Sequence, residues 1–143
     1  MYIKKSIECW LVDCQKQEAL LLRVPAKKGN LAFNQPVTGG IEGAETPEQA
    51  CIREVFEETG FRLQQNNLHC LRRNFRVSVD DTFELDKHVF LYETPVFEVT
   101  LSPSEHENYQ WASFADIADL LTYPSNQRTW VWAEEFLNLR TNS

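Results

Sequence analysis

Residues 39–61 read GGIEGAETPEQACIREVFEETGF, a stretch that holds six acidic residues, one arginine and four glycines. Thr46-Pro47-Glu48-Gln49 supplies three helix-start signals: a hydroxyl N-cap, proline at the first helical position and glutamine three residues after the cap. Gly60 supplies the stop. Within the helix, Ile52, Val55, Phe56 and Thr59 fall where they can line a buried side. Glu54, Glu57 and Glu58, at i, i+3 and i+4, share the other face. Like charges at this spacing cost a helix a few tenths of a kcal/mol, and Glu45 adds a further carboxylate with few lysines nearby. A solvated acidic face is the common meaning of such a cluster. The crowding favours instead a site for Mg²⁺ or Mn²⁺, hard cations that take oxygen ligands and in turn hold phosphates.

The rest of the chain bounds what surrounds this helix. Its 143 residues fit one domain, expected over 1–143, and burial of about two-thirds of the unfolded surface. A hydrophobic fraction of 43% with 5 Gly and 6 Pro describes a globular protein. A net charge of −7 disfavours general adhesion to nucleic acid or anionic lipid, so an anionic substrate needs a local cation. No apolar run approaches a membrane span, and MYIKKSIECWLVDC reads as a first strand rather than a signal peptide. A cytoplasmic location follows as an expectation. Cys9, Cys14, Cys51 and Cys70 form no C-x-x-C pair, which argues for reduced, partly buried thiols over a zinc site or redox dithiol.

Ile3 to Val12 and Ala19 to Val24 are expected strands joined by a polar turn. Pro25 to Asn34 reads as a basic loop whose Lys27 and Lys28 either meet phosphates or are simply solvated. Leu68 to Val79 and His88 to Thr94 are expected strands with DDTFELD as the loop between them, and Val96 to Leu101 an expected edge strand. Ser113 is positioned to cap a short helix through Leu121. In PSNQRTWVWAEEFLNLR, Trp130, Ala133, Phe136 and Leu137 define the apolar face of a terminal helix. Trp111, Trp130 and Trp132 are read as core in preference to stacking platforms. His88 and His106 are read as structural or supporting, because magnesium sites seldom use imidazole.

The box pattern is Gly39, five residues, Glu45, seven residues, Arg53-Glu54-Val55, one residue, Glu57-Glu58, one residue, Gly60-Phe61. It resembles the complete Nudix box. Nine constrained positions would coincide by chance in such a chain on the order of once in ten million or less. The resemblance implies an α/β/α sandwich with a mixed β-sheet and a hydrolase of nucleoside diphosphates linked to another moiety. It further implies that Glu54, Glu57 and Glu58 bind Mg²⁺ (or Mn²⁺), that a carbonyl near Thr38 and Gly39 completes the shell, and that Arg53 and Glu45 brace the loop. Gly39, Gly40, Gly43 and Gly60 serve turns or close approach.

Outside the box, FNQPVTGGIE resembles the FWQ-x-VTG stretch of bacterial dihydroneopterin triphosphate pyrophosphatases, and EHENYQW their E-H-x-x-Y-x-W. SNQR is a looser echo. Asn34 stands where that subgroup has tryptophan, which leaves base or pterin stacking open. The proline-rich stretch expected after the box in ADP-ribose hydrolases is not visible. The expected activity is cleavage of a small nucleoside or pterin triphosphate to monophosphate and pyrophosphate, with Glu54, Arg53 and Glu105 in the catalytic set. Glu105, by its match to the second motif, is the candidate general base or a further metal ligand. The alternatives are a dinucleoside polyphosphate or capped-RNA hydrolase, and a catalytically silent nucleotide-binding regulator. Nucleic acid is the less favoured partner, and a homodimer rests on family analogy.

Overall fold

The structure, a computed structural model, describes residues 2–141. Seven strands and three helices follow in the order β1 (Tyr2–Asp13), β2 (Glu18–Val24), β3 (Phe33–Gln35), β4 (Val37–Gly40), α1 (Pro47–Thr59), β5 (His69–Asp80), β6 (Phe83–Glu93), β7 (Asn108–Ser113), α2 (Phe114–Leu120) and α3 (Pro124–Thr141). β1 pairs in parallel with β6 and antiparallel with β2 and β4, so the sheet is mixed. Its path runs β3-β2-β1-β6-β5, with β4 added on β1 and β7 on β2.

Alternation along β1 sends side chains to both faces, and each face meets helices. Ile7, Cys9 and Leu11 pack with Ala50, Cys51 and Val55 of α1. Trp10 and Val12 pack with Ile117 of α2 and with Trp130, Ala133 and Leu137 of α3. The result is an α/β/α sandwich whose two apolar layers are separated by the sheet. Trp130 is core, as expected, whereas Trp111 and Trp132 are partly buried.

A polar network anchors α3. Glu8, wholly buried on β1, accepts hydrogen bonds from Lys87 Nζ (2.8 Å), Asn126 Nδ2 (2.9 Å) and the Thr129 hydroxyl. Trp10 Nε1 donates to the same hydroxyl at 3.1 Å. A buried carboxylate is tolerated when it is paired with a cation and hydrogen-bonded in this way.

Several local expectations are corrected. Of DDTFELD, only Asp81 and Thr82 form the turn; Phe83–Asp86 belongs to β6, where it runs beside Tyr2–Lys5. Val96–Leu101 forms no strand. Its polar groups go elsewhere: Val96 N donates to Asp13 Oδ2, the Phe97 carbonyl accepts from Trp111 Nε1, and Thr100 N donates to the Thr59 carbonyl. Asn34 lies in β3 rather than a loop, and the second half of EHENYQW falls in β7. Ser113 does precede α2, but its side chain makes no capping bond. None of the four cysteines is in a disulfide; Cys9 and Cys51 are buried, Cys14 and Cys70 exposed. Among the described residues, no helix is long and apolar enough to cross a membrane.

Candidate metal and phosphate site

The loop and helix of residues 39–61 are held by local bonds that the sequence encodes. Gln49 N donates to Thr46 Oγ1 at 3.1 Å and Thr46 N to Gln49 Oε1 at 3.0 Å, a reciprocal capping box. At the other end Gly60, with φ +80°, donates its amide to the Phe56 carbonyl, a left-handed cap that glycine adopts without strain.

Arg53 is the hub of the loop. Its Nε and Nη2 donate to Glu45 Oε2 and Oε1 at 2.7 and 2.9 Å, Nη2 also to the Gly40 carbonyl at 2.8 Å, and Nη1 to Glu54 Oε1 at 2.7 Å. Glu57 lies farther, 3.3 Å from Nη1. The guanidinium, joined by the Glu42 amide, holds the Glu45 carboxyl down to about 2. The fork of Arg53 thus ties the strand end, the loop and the helix at one point.

The carboxylates of α1 do not share one exposed face. Glu58 is 4% exposed and packs inward on the seam that includes Cys51 and Val55, whereas Phe56, assigned to the buried side, is 41% exposed. The Arg62 guanidinium covers the Phe56 ring at 4.2 Å. Glu54 is largely buried too, and lies against Gly39: a Cβ there would stand 2.1 Å from Glu54 Cδ. Glu57 remains half exposed at the rim. Gly40 gives its carbonyl to Arg53, and the Thr38 amide faces Glu58.

Glu105 is brought to the same place from the loop before β7. Burial, then the charges of Glu54 and Glu105, push the Glu58 carboxyl up to about 9, and a proton shared with Glu105 adds to this; the Thr38 amide opposes it. Burial also raises Glu54, against the pull of Arg53. A carboxylate oxygen of Glu58, one of Glu105 and a ring nitrogen of His106 all lie within 4.8 Å of one another. His106, read from the sequence as structural or supporting, is brought into this cluster beside Glu105. Burial lowers its basicity, Glu105 raises it, and Lys27 lowers it, which places the basic turn of residues 27–30 within electrostatic reach of the site. His88 lies elsewhere, on β6.

Residues 4–133 match the family model described as NUDIX domain. The chain belongs to that family. As a Nudix protein with its box carboxylates intact, it is a hydrolase acting on phosphoric anhydride bonds. It is 27% identical over 120 residues to the nucleoside triphosphatase NudI of Klebsiella pneumoniae, covering 79% of this chain and 84% of the relative. Its fold is similar to that of the E. coli dihydroneopterin triphosphate pyrophosphohydrolase (TM-score 0.76, 22% identity, 91% of this chain and 95% of that one). It is similar also to the NUDIX domain of Shewanella oneidensis NrtR complexed with ADP ribose (TM-score 0.80, 16% identity, 96% and 90%).

A cleft of about 510 Å³ is lined by Arg23, Asn34, Glu107, Asn108 and Gln110, together with Leu21, a residue of the layer that packs on α2 and α3, and Tyr109. The side chain of Asn34 is already engaged. It accepts from Arg23 Nη1 at 3.3 Å and donates to the Leu120 carbonyl at 3.0 Å.

Proposed function

We propose that this Nudix hydrolase is a Mg²⁺-dependent pyrophosphohydrolase that converts a small nucleoside or pterin triphosphate, with one water, to the monophosphate and pyrophosphate. The observation that carries this reading is Glu58, a carboxylate 4% exposed whose Oε2 has no hydrogen-bond partner among the described residues, set beside Glu54 and Glu105. Of these three acids only Glu54 has an ion pair among the described residues, with Arg53, which it shares with Glu45 and the Gly40 carbonyl; Glu58 and Glu105 have none. Such a donor set fits a hard divalent cation. Glu54, Glu57 and Glu58 would hold it; when bound, the cation supplies charge neutralisation for the phosphates and a lower pKa for water.

The protein's own groups do the rest. Glu105 accepts the proton of the attacking water as the new P–O bond forms, and pyrophosphate or the monophosphate leaves as the anhydride bond breaks. Arg53 fixes Glu54 and the Gly40 carbonyl so that the carboxylates are positioned before substrate arrives. Lys27 offers a positive charge on the side from which a polyphosphate would approach a net-negative protein. Asn34 gives no ring for a base or pterin to stack on.

Pyrophosphate release from a panel of nucleoside and pterin triphosphates, with and without Mg²⁺, tests the assignment. Glu57→Gln should keep the fold and lose most of the activity at limiting Mg²⁺, because the amide preserves shape but removes an anionic oxygen. Turnover unchanged at both limiting and saturating Mg²⁺ would reject the metal role. Binding of nucleotides without any product would favour the silent regulator.

A further inference from the structure

We infer that His106 supplies a nitrogen ligand to the cation that Glu58 holds beside Glu105, so that this position takes Mn²⁺ in preference to Mg²⁺. The inference rests on the divalent-cation reading above and adds to it the identity of one ligand and the metal it selects.

Two buried polar atoms point to it independently. His106 is 4% exposed and its Nδ1 has no hydrogen-bond partner among the described residues. Glu58, equally buried, has Oε2 in the same condition. A histidine kept only for packing normally donates from one ring nitrogen and accepts at the other, since a buried polar atom left unpaired costs stability. Here the orphaned groups come from separate elements, the last turn of α1 and the loop before β7. They converge with Glu105 so that one ligand atom from each falls within a 4.8 Å span, a separation that one ion can bridge with ligand bonds of about 2.0–2.6 Å.

The loop is built to hold this geometry. The amides of Glu105 and His106 both donate to the Ser102 carbonyl at 3.1 Å, and the Glu107 amide donates to the Arg23 carbonyl of β2 at 3.0 Å. A turn fastened on both sides of His106 fixes the ring without needing its nitrogens. Imidazole in place of a third carboxylate or water alters the preference of the site. Mg²⁺ demands oxygen donors, whereas affinity for nitrogen rises along the first-row series from Mn²⁺ onward.

The test uses the full chain, stripped of metal and loaded with Mn²⁺ alone. Pulsed EPR of the bound Mn²⁺ should show imidazole ¹⁴N modulation, and histidine labelled with ¹⁵N in the ring should change its pattern without any mutation. His106→Gln should abolish the modulation and weaken Mn²⁺ binding on the order of tenfold, with Mg²⁺ affinity changed much less. His88→Gln should leave it intact. Mn²⁺ that binds in a Glu58-dependent manner but shows no imidazole modulation would overturn the histidine ligand and leave the carboxylate site standing. So would modulation that survives in His106→Gln. No Glu58-dependent binding of either metal would overturn both readings together.

Discussion

Arg53 and Glu45 are joined by two parallel hydrogen bonds, 2.7 and 2.9 Å, across the loop that opens α1. The same guanidinium reaches the Gly40 carbonyl and Glu54, so one side chain sets the distance between the β4 end and the helix. Arg53→Ala is expected to remove that tie and leave Glu54 largely buried beside Glu58 with no cation. The variant should melt a few degrees lower, and kcat/KM should fall at least about tenfold. Arg53→Lys should recover little of either, because an ammonium does not reproduce the two-pronged fork. A melting temperature and turnover equal to the parent protein's would refute the brace.

Gly39→Ala separates geometry from stability. The added methyl would meet Glu54 Cδ at 2.1 Å, yet the atoms it meets are the far end of a flexible side chain, which can swing aside. The expected outcome is a small change in melting temperature with a fall in activity on the order of tenfold or more, as the carboxylate leaves its place. Gly60→Ala should do the reverse. Its φ of +80° strains an L-residue at the helix cap, so stability drops first. Equal effects on stability in the two variants would contradict this division.

These consequences depend on which way α1 faces, and there the sequence was only half legible. Box spacing, capping box and stop glycine all follow from local chemistry, and the helix Pro47–Thr59 agrees with them. Its orientation does not. Periodicity offers two adjoining seams, and the apolar size of Phe56 favours the one that includes it. The sheet instead takes the seam of Cys51, Val55, Glu58 and Thr59, because Glu58 faces Thr38 of β4 and Arg62 covers Phe56. β4 itself, VTGG, has two poor strand formers, and its pairing with β1 becomes visible only when the partner is known. Val96–Leu101 fails as a strand for the opposite reason: its residues suit a strand, but its amides and carbonyls bond side chains and loop backbone. Motif spacing located Glu105, while the neighbour that completes its cluster, His106, carried no periodic signal.

The inward turn of Glu58 has a pH consequence with a definite sign. Its folded pKa, about 9, lies above the ordinary 4.5, so the folded protein binds the extra proton between those values. Its contribution to stability is present below about pH 4.5 and is lost as pH rises toward about 9. Glu45 has the opposite sign: its contribution is present above about 4.5 and lost as pH falls through about 2. The metal-free protein should therefore melt progressively lower between neutral pH and about 9. Added Mg²⁺ or Mn²⁺, which needs the carboxylate ionised, should raise the melting temperature more at the alkaline end. A metal-induced shift independent of pH would count against Glu58 as a ligand.

Glu105 and Glu107 are two residues apart, and the fold gives them different work. Glu105 meets Glu58 and His106 in one cluster, whereas Glu107 lies 3.8 Å from Arg23, and its amide fastens the loop to β2. A general base must reach the water it deprotonates, and its removal typically costs about 10²–10⁴-fold. Glu105→Gln should therefore lower kcat by at least about tenfold while the melting temperature holds, since the amide fills the same space. Glu107→Gln loses one exposed ion pair, which contributes little to stability, and should change kcat about twofold at most. A Glu105→Gln enzyme with kcat within about twofold of the parent would return the base role to Glu54, the remaining box carboxylate that lies against Gly39.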